Sequence, residues 1–204
     1  MPSLNKLVVF NGLSFFVNKK VYQPSEDSFL FAENLEVKLN ERVLDMGTGC
    51  GILAILAAEK SKKVVGIDIN PHAIHCAKRN AELNKVKNRI SFIQGDLFNS
   101  ITEAVLFDLI LFNAPYLPIN KKTNISWIER AWIGGPTGRS VIDPFLSRAT
   151  KFLSKKGRLL LLQSSFSDVN KTIFRFGEIN MTTKIIAEVR VPFFETIQLI
   201  EAKY

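Results

Sequence analysis

Four consecutive residues at the end of an apolar segment combine groups that suit chemistry on a planar nitrogen. The segment from Phe107 reads FDLILFNAPY and ends with Asn113, Ala114, Pro115 and Tyr116. A buried strand does not need such a polar and aromatic ending for its own packing. An amide oxygen, a main-chain carbonyl, a rigid proline and an aromatic ring can together hold a planar amine or amide and direct its nitrogen. We therefore predict that these four residues, the Asn113 turn, are the catalytic residues.

A glycine-rich turn follows an earlier apolar run and suits the binding of a ligand. In VLDMGTGCGILAI, Asp45 ends a predicted strand, and Gly47, Gly49 and Gly51 precede an apolar helix. Glycines let the backbone bend sharply and approach a ligand without Cβ atoms in the way, and the helix N-terminus favours negative charge. Taken alone, such a turn is also compatible with a dinucleotide.

Two later aspartates narrow the choice of ligand. Asp68 ends the predicted strand KVVGIDI, 23 residues after Asp45, where a carboxylate can accept hydrogen bonds from both hydroxyls of a ribose. Asp96 follows the next strand and can accept from an adenine amine, while Leu97 offers its backbone. Any one of these aspartates can be a cap or a solvated strand end, but the three together suit a ligand with an amine, a ribose diol and adenine. We therefore predict S-adenosylmethionine as the cofactor, because its sulfonium needs no pyrophosphate cradle.

The elements that position these residues alternate between strand and helix from Arg42 onward. This alternation predicts an α/β fold, with a mainly parallel sheet and helices on both faces. The chain ends differently, since Met181 to Val191 and Glu195 to Ala202 are joined at Pro192, a connection that predicts a terminal antiparallel hairpin. The predicted strands are VLDM, KVVGIDI, ISFIQG, FDLILF and GRLLLLQ, and the helices run from the glycine turn to about Lys60, from Pro71, and from Pro144 in PFLSRATKFL.

The N-terminal part adds a hairpin and a helix to this sheet. Leu7 to Phe10 and Leu13 to Val17 are β-prone runs separated by Asn11-Gly12, which is the strongest short signal for a tight hairpin. A helical pattern begins after Pro24. Its first turn contains Asp27, at a place where acidic residues complement the helix dipole.

Composition and charge indicate a globular intracellular protein. The 204 residues are 47% hydrophobic, which is enough for one domain with a sizeable core. Cys50 and Cys76 lack CxxC spacing, so neither a zinc cluster nor a disulfide framework is indicated, and no metal site is predicted. No apolar run approaches the ~18 residues needed to span a bilayer, so we expect a cytoplasmic protein without a membrane partner. The net charge of +8 favours an acidic or RNA-associated partner, but the basic residues are scattered rather than gathered into one stripe.

The combined motifs resemble a known family. Asp45-x-Gly-x-Gly-x-Gly, Asp68, Asp96 and the Asn113 turn are similar to motifs of the class I S-adenosylmethionine-dependent methyltransferases. Together with VYQPSEDS and AWIGGPTGRSVID, they resemble the short HemK-like protein-glutamine methyltransferases, which act on peptide-chain release factors. The resemblance covers about residues 20 to 202.

The resemblance implies a domain plan and roles for the site residues. It implies one Rossmann-like class I methyltransferase domain over residues 1–204, with a mainly parallel, seven-stranded sheet. Within it, residues 1–20 would be a hairpin extension, residues 42–112 the cofactor half and residues 113–204 the substrate half. Asn113 would contact both cofactor and substrate. The implied cofactor-binding residues are Ser28, Asp45 and Gly47 at the methionine end, Gly49, Asp68 at the ribose, Asp96 and Leu97 at the adenine, and Asn113, of which Ser28 rests on the resemblance alone.

For an amide substrate, the Asn113 turn must provide geometry more than a strong base. An amide nitrogen is a poor nucleophile, because its lone pair is delocalised into the carbonyl. Both N–H groups must therefore be engaged, and the nitrogen held in line with the sulfonium methyl at about 3 Å. The Asn113 side-chain oxygen and the Ala114 carbonyl can be the two acceptors, while Tyr116 would pack against the amide. Ala114 departs from the usual Asn-Pro-Pro-Tyr, but it retains the carbonyl and Pro115 still restricts it, so we expect function to survive in a less rigid turn.

Three functions fit these motifs. The first is methylation of the glutamine in a Gly-Gly-Gln motif of a release factor. The second is methylation of the exocyclic N6 amine of adenine in a nucleic acid, since the same turn can hold that nitrogen equally well. The third is an inactive, cofactor-binding partner subunit, which Ala114 keeps open.

Two surfaces near these motifs are expected to contact other groups. The segment IERAWIGGPTGRSVID is predicted to form a wall or lid near the Asn113 turn, with Trp127 and Trp132 favouring packing over substrate stacking. Arg139 could pair with an acidic residue of this loop or of a partner. The resemblance implies a small zinc-binding activator subunit that forms a heterodimer. Arg89 to Gln94 is expected at a sheet edge, which invites pairing with another chain.

Overall fold

Nine β-strands and five α-helices form the part of the chain that the structure, a computed structural model, describes, namely residues 6–120 and 123–204. The first five residues of the expected hairpin extension lie outside this part. The strands are β1 Lys6–Phe10, β2 Leu13–Val17, β3 Arg42–Met46, β4 Lys63–Asp68, β5 Ile90–Gln94, β6 Phe107–Asn113, β7 Leu153–Ser164, β8 Thr182–Val191 and β9 Glu195–Lys203. The helices are α1 Glu26–Glu33, α2 Ile52–Ala58, α3 Pro71–Leu83, α4 Ile142–Ala149 and α5 Val169–Glu178.

The main sheet combines parallel strands with an antiparallel hairpin at one side. Its strand order is β5-β4-β3-β6-β7-β9-β8. The first five strands in this order, from β5 to β7, are parallel to one another, and β9 pairs antiparallel with both β7 and β8. The mainly parallel, seven-stranded sheet and the terminal hairpin that the sequence predicted are therefore confirmed.

The strand order reverses at the centre of this sheet. The chain proceeds from β3 outward through β4 to β5 and then returns to β6 on the other side of β3. At such a switch point the connections leave two neighbouring strands in opposite directions, and the strand ends border a crevice. Met46 on β3 is level with Phe112 on β6. The glycine turn and the Asn113 turn therefore begin side by side at the same edge.

The N-terminal hairpin of β1 and β2 is confirmed and is attached to α3. Asn11 and Gly12 have left-handed backbone angles, with φ of 48° and 77°, which match the twist of a two-residue hairpin turn. The Asn80 side chain on α3 accepts a hydrogen bond from the Phe16 amide at 2.9 Å and donates one to the Phe16 carbonyl at 2.9 Å. The hairpin thus lies against α3 as a separate two-stranded sheet.

Helices cover both faces of the main sheet, as the strand-helix alternation predicted. Helices α1, α2 and α3 pack on one face, where Phe31 and Leu111 belong to one buried cluster. Helices α4 and α5 pack on the other face, where the Phe112 and Phe145 rings lie 4.4 Å apart between centroids. Full burial of such side chains stabilises the fold by roughly 1.5–3 kcal/mol each. Strand β6 is therefore packed against helices on both faces of the sheet, and Asn113 lies at the end of a rigid strand.

Two helical segments differ from the sequence prediction. Helix α4 begins at Ile142 rather than at Pro144, because the Asp143 carboxylate pairs with Arg139 at 2.8 Å instead of capping a later helix. Pro144 then lies in the first turn, where its missing N–H leaves no hydrogen bond unmade. Helix α4 also ends earlier, at Ala149, and a 3-10 turn leads into β7. The sequence patterns do not predict α5, which connects β7 to β8. Within the described residues, no helix has the length and apolar character to cross a membrane.

Candidate active site

A cavity of about 620 Å³ opens at the carboxyl edge of the parallel strands and contains both turns. This volume lies within the range of about 300–1,000 Å³ that is usual for small-molecule sites. All the residues predicted from the sequence for catalysis and cofactor binding line it. They are Ser28, Asp45, Gly47, Gly49, Asp68, Asp96, Leu97, Asn113, Ala114, Pro115 and Tyr116. The fold therefore brings separate segments of the chain to one cavity.

Two aspartates hold the glycine turn in shape. The Asp45 carboxylate accepts from the Thr48 hydroxyl at 2.6 Å and from the Ala54 amide at 3.1 Å, both through Oδ2. Asp68 Oδ2 accepts from the Gly49 amide at 2.9 Å, which ties the turn to the end of β4. Neither bond to Asp45 uses its Oδ1. The turn is therefore preformed, and Asp45 retains an oxygen for a ligand.

Burial shifts the titration of both carboxyl groups. Asp45 is 1% exposed, and burial raises its pKa to about 7, against the hydrogen bonds from Thr48 and Ala54 that lower it. Burial also raises the pKa of Asp68, against the hydrogen bonds from neighbouring amides. A buried carboxyl group returns to its charged form when a cation lies beside it. These two groups therefore favour a positively charged ligand.

Asp68 and Asp96 differ in how far the fold already engages them. Asp68 also accepts from the Asn70 amide at 2.8 Å through Oδ1, but a carboxylate has about four acceptor positions and retains capacity for a ligand. Asp96 is exposed and precedes a 3-10 turn that begins at Leu97, yet its side chain does not cap that turn. Leu97 has a left-handed backbone, with φ of 46°, a strained conformation of the kind concentrated at functional sites. The geometry thus argues against capping as the purpose of Asp96.

Asp27 on α1 is a site residue that the sequence patterns do not reveal. It is only 5% exposed, and it lines the cavity. Its Oδ2 accepts from Asn113 Nδ2 at 3.2 Å, and its Oδ1 accepts from the Ser28 amide at 2.6 Å. A carboxylate only accepts, so Asn113 presents Nδ2 to Asp27 and turns Oδ1 toward the cavity. The predicted role of Asp27 at the helix N-terminus is therefore only part of what this residue does. Its burial could have been predicted, because it precedes the buried Phe31 by four residues and so lies on the same face of the helix.

Two tyrosines flank this carboxylate. The Tyr22 hydroxyl donates to Asp27 Oδ1 at 3.0 Å. Burial raises the pKa of both Tyr22 and Tyr116 well above 10, and the Asp27 charge adds to the rise. Both hydroxyls therefore stay protonated at neutral pH and cannot be general bases.

Gly138 lies against the backbone of Tyr116. A Cβ atom on Gly138 would lie 2.3 Å from the Tyr116 carbonyl oxygen, so glycine is required where these two parts of the chain meet.

The segment after the Asn113 turn forms the outer wall of the cavity. Leu117 donates from its amide to the Trp132 carbonyl at 2.9 Å, and Gly134 donates to the Leu117 carbonyl at 2.8 Å. Trp127 and Trp132 are half-buried and line the cavity. The Arg130 guanidinium lies 5.4 Å from the centre of the Trp127 ring. The predicted wall is confirmed, and its tryptophans face the cavity rather than the core.

Arg139 stabilises the fold and does not line the cavity. It is 3% exposed and donates to the Asp143 carboxylate at 2.8 and 3.0 Å. Its guanidinium also donates to the Asp168 carbonyl at 2.7 Å and to the Thr172 hydroxyl at 3.0 Å. The predicted pairing with a nearby acidic residue is confirmed, and it joins the beginnings of α4 and α5.

The cavity carries a charge opposite to that of the whole chain. The net charge of the chain is +8. Among the described residues that line the cavity, the charged ones are Asp27, Asp45, Asp68, Asp96 and Arg130. This acidic lining suits a ligand that carries an ammonium and a sulfonium group. The residues present therefore fit S-adenosylmethionine, which has both cations as well as a ribose and adenine.

Comparisons with known sequences agree with this fit. Residues 38–184 match a family model described as a methyltransferase domain. A Methanocaldococcus jannaschii protein, provisionally named a protein N5-glutamine methyltransferase, is 40% identical over 191 residues, which cover 93% of this chain and 95% of that protein. The human methyltransferase HEMK2 is 35% identical over 153 residues, which cover 70% of this chain and 71% of HEMK2.

A solved methyltransferase structure is also similar to this chain. It is the E. cuniculi Mtq2-Trm112 complex, reported to be responsible for methylation of the eRF1 translation termination factor. The superposition has a TM-score of 0.69 with 25% sequence identity, and it covers 90% of this chain and 98% of the matched chain. The chain therefore belongs to the S-adenosylmethionine-dependent methyltransferases, in the family of the protein N5-glutamine methyltransferases.

Proposed function

We propose that this protein transfers a methyl group to the side-chain nitrogen of the glutamine in a Gly-Gly-Gln motif of a peptide-chain release factor. The observation that carries the proposal is the fixed Asn113 amide, whose Nδ2 is bound by Asp27 at 3.2 Å, so that its oxygen is available to a planar amide. The names of the relatives support this substrate, because they refer to N5-glutamine methylation and to eRF1. A release factor as substrate also agrees with the expected cytoplasmic location.

The cofactor would be held at the ends of three neighbouring strands. When bound, S-adenosylmethionine supplies an electrophilic methyl group on its sulfonium. Asp45 Oδ1 is available to the methionine ammonium, and Asp68 has remaining acceptor capacity for the ribose. Asp96 and the backbone of Leu97 would recognise the adenine. Ser28 would complete the wall beside the reacting groups, since its hydroxyl lies 3.5 Å from Asn113 Nδ2.

Catalysis would then rest on positioning of the substrate amide by the Asn113 turn. The Asn113 side-chain oxygen and the Ala114 carbonyl would accept the two N–H protons of the glutamine, and the Tyr116 ring would cover its plane. Well-oriented reacting groups can lower a barrier by about 7–11 kcal/mol relative to free reactants. The new N–C bond would form as the bond from the methyl group to sulfur breaks, and the nitrogen would then release one proton to solvent. No side chain needs to remove a proton before transfer, which agrees with the two protonated tyrosines at the site.

Ala114 retains both the acceptor and the rigidity that this role requires. Its amide donates to the Leu162 carbonyl on β7 at 3.3 Å, a bond that proline could not make because it lacks an N–H. The following Pro115 restricts Ala114 to extended conformations. Sheet hydrogen bonding therefore supplies the restraint that the first proline of Asn-Pro-Pro-Tyr would supply. This argues for an active enzyme over an inactive, cofactor-binding subunit.

Methyl transfer to a purified release factor tests the proposal. The protein, with any required partner subunit, is incubated with isotope-labelled cofactor and the release factor, and peptide mass spectrometry locates the label. We expect label on the motif glutamine, none after substitution of that glutamine, and none with Asn113→Ala, which should still bind the cofactor. Label in RNA or DNA oligomers but not in the release factor would favour the alternative of adenine-N6 methylation. Transfer to neither substrate would contradict an enzymatic role.

A small partner subunit would bind at the edge of the sheet. Strand β5 is the outermost strand beyond β4, as expected, and both Ser91 and Gln94 on it are exposed. The matched E. cuniculi protein is in a complex with Trm112, which supports a heterodimer. By the family resemblance, the partner of this chain would be a zinc-binding activator. We expect higher solubility and activity when the two are co-expressed, and full activity of a stable isolated chain would contradict this role.

A further inference from the structure

The turn between β8 and β9 exposes two aromatic side chains on a strained backbone. Phe193 is 88% exposed, and Phe194 is fully exposed. Both have left-handed backbone angles, with φ of 66° and 60°, a conformation that bulky L-residues rarely adopt. Exposed phenylalanines add nothing to the core, and strain of this kind is concentrated at functional sites. We call Phe193, Phe194 and the adjacent Glu195 the aromatic tip.

The aromatic tip lies beyond the same edge of the sheet as the Asn113 turn. Leu199 on β9 is opposite Leu162 on β7, and Leu162 is level with Asn113 on β6. Glu195 is four residues further along, about 13 Å, and two strand spacings to the side, about 10 Å. The tip is consequently about 16 Å from the Asn113 backbone. A glutamine side chain bound in the cavity cannot span that distance, so only a larger substrate reaches the tip.

Glu195 connects the aromatic tip to the cavity wall. Burial raises the pKa of Tyr116 and the Glu195 carboxylate adds to the rise, which places this carboxylate near Tyr116. Its Oε1 is buried within the protein. Glu195 therefore lies between the exposed aromatic pair and Tyr116, which lines the cavity.

We propose that the aromatic tip is a docking surface for the folded protein substrate, outside the catalytic cavity and beyond the same edge of the sheet. The inference rests on the proposed function, because the partner is the release factor that presents the glutamine. Phe193 and Phe194 fit an apolar depression on that protein, since exposed aromatic side chains are typical anchors of interfaces. The rings lie beyond the edge of the sheet at which the substrate glutamine reaches the Asn113 turn, so the protein that presents this glutamine is a better match than a lipid surface.

Direct binding of the release factor tests this surface without requiring catalysis. The double variant Phe193→Ala with Phe194→Ala removes both rings, and alanine tolerates the left-handed backbone no better than phenylalanine, so the strain is retained. We expect affinity for the intact release factor to fall at least about tenfold. Tryptophan at both positions should restore it. The matched control is Phe174→Ala on α5, where the native ring is 66% exposed, and it should bind as the wild type does.

Steady-state kinetics separates docking from effects on the cavity. The double alanine variant should raise KM for the intact release factor about tenfold, while kcat/KM for a short peptide with the Gly-Gly-Gln motif stays within about twofold. Unchanged binding of the intact protein, or equal losses with the protein and the peptide, would overturn the docking surface. Loss of binding to phosphatidylcholine–phosphatidylserine vesicles, with release factor affinity unchanged, would overturn it in favour of a membrane contact. If the wild type methylates neither substrate, the proposed function fails, and the binding comparison still decides the role of the tip.

Discussion

Replacing Asp27 by asparagine tests whether this carboxylate orients the Asn113 amide for the proposed reaction. In the native site, Oδ1 accepts from the Ser28 amide at 2.6 Å, and Oδ2 accepts from Asn113 Nδ2 at 3.2 Å. The introduced amide keeps its oxygen toward Ser28, because that N–H needs an acceptor. Its NH₂ group then stands where Oδ2 stood and faces the NH₂ group of Asn113. Two donors meet, and the side chains lose their hydrogen bond.

The Asn113 amide relieves this conflict by turning through half a rotation. Its oxygen then faces the introduced NH₂ group, and its nitrogen points into the cavity, where the substrate needs an acceptor. An unsatisfied donor in a buried site costs about 1–3 kcal/mol, and here the substrate N–H faces a donor. We therefore expect the barrier to rise by about 2–3 kcal/mol, which lowers kcat about 30- to 150-fold.

The assay compares kcat for glutamine methylation with the dissociation constant of the cofactor. With Asp27→Asn, kcat should fall by the stated factor, while cofactor affinity stays within about threefold, because the cofactor contacts proposed for Asp45 and Asp68 are intact. Adding Asn113→Asp should recover about tenfold, since the introduced amide donates to the introduced carboxylate and its second oxygen faces the cavity. A value of kcat for Asp27→Asn above about a third of the wild type would refute the orienting role.

Four further predictions concern other residues of the structure. Because the pKa of Asp45 in the unliganded protein is raised to about 7, cofactor affinity measured by calorimetry should weaken as pH falls below 7, and Asp45→Asn should abolish this dependence. The same raised pKa means that the folded state favours protonated Asp45. This contribution to the free energy of unfolding of the unliganded protein is fully present below about pH 4 and is lost as pH rises through 7, which denaturant unfolding at several pH values would detect. Gly51→Ala should lower the free energy of unfolding by about 2 kcal/mol, because φ is 90° and the new Cβ would lie 3.0 Å from Ala77 Cβ; an unchanged melting temperature would contradict this. Arg139→Ala should lower it by about 3 kcal/mol, because it removes the main ion pair of Asp143 together with the hydrogen bonds to the Asp168 carbonyl and the Thr172 hydroxyl, whereas Lys171→Ala, at a more exposed partner of Asp143, should cost less than about 1 kcal/mol.

The residues that could be predicted from the sequence have roles set by the local chain. Asp45 and Asp68 end apolar strands, and a polar side chain at the end of a buried strand has to face solvent or a cavity. Asn113 follows the same rule. The Asn11-Gly12 turn was predictable because two consecutive left-handed positions suit few other residues.

Other features depend on contacts that no local pattern contains. Asp27 meets Asn113 across 86 residues of sequence, and it does so only because α1 packs over the end of β6. Helix α5 was not predictable from its apolar pattern, since its buried positions include Thr172, whose hydroxyl is satisfied by Arg139 and Gln163 in the folded chain. The position of the aromatic tip beside the cavity depends in turn on the pairing of β9 with β7.

Which side chains lie at the strand ends, and with them the acidic character of the cavity, follows from the sequence alone. Strand alternation and glycine turns are properties of a few neighbouring residues. How the atoms at those strand ends are used depends on tertiary contacts. The orientation of the Asn113 amide depends on a carboxylate from another helix, and the restraint on Ala114 depends on a carbonyl from another strand. Hydrogen bonds between distant segments have directions that follow from packing, and packing is a property of the whole chain.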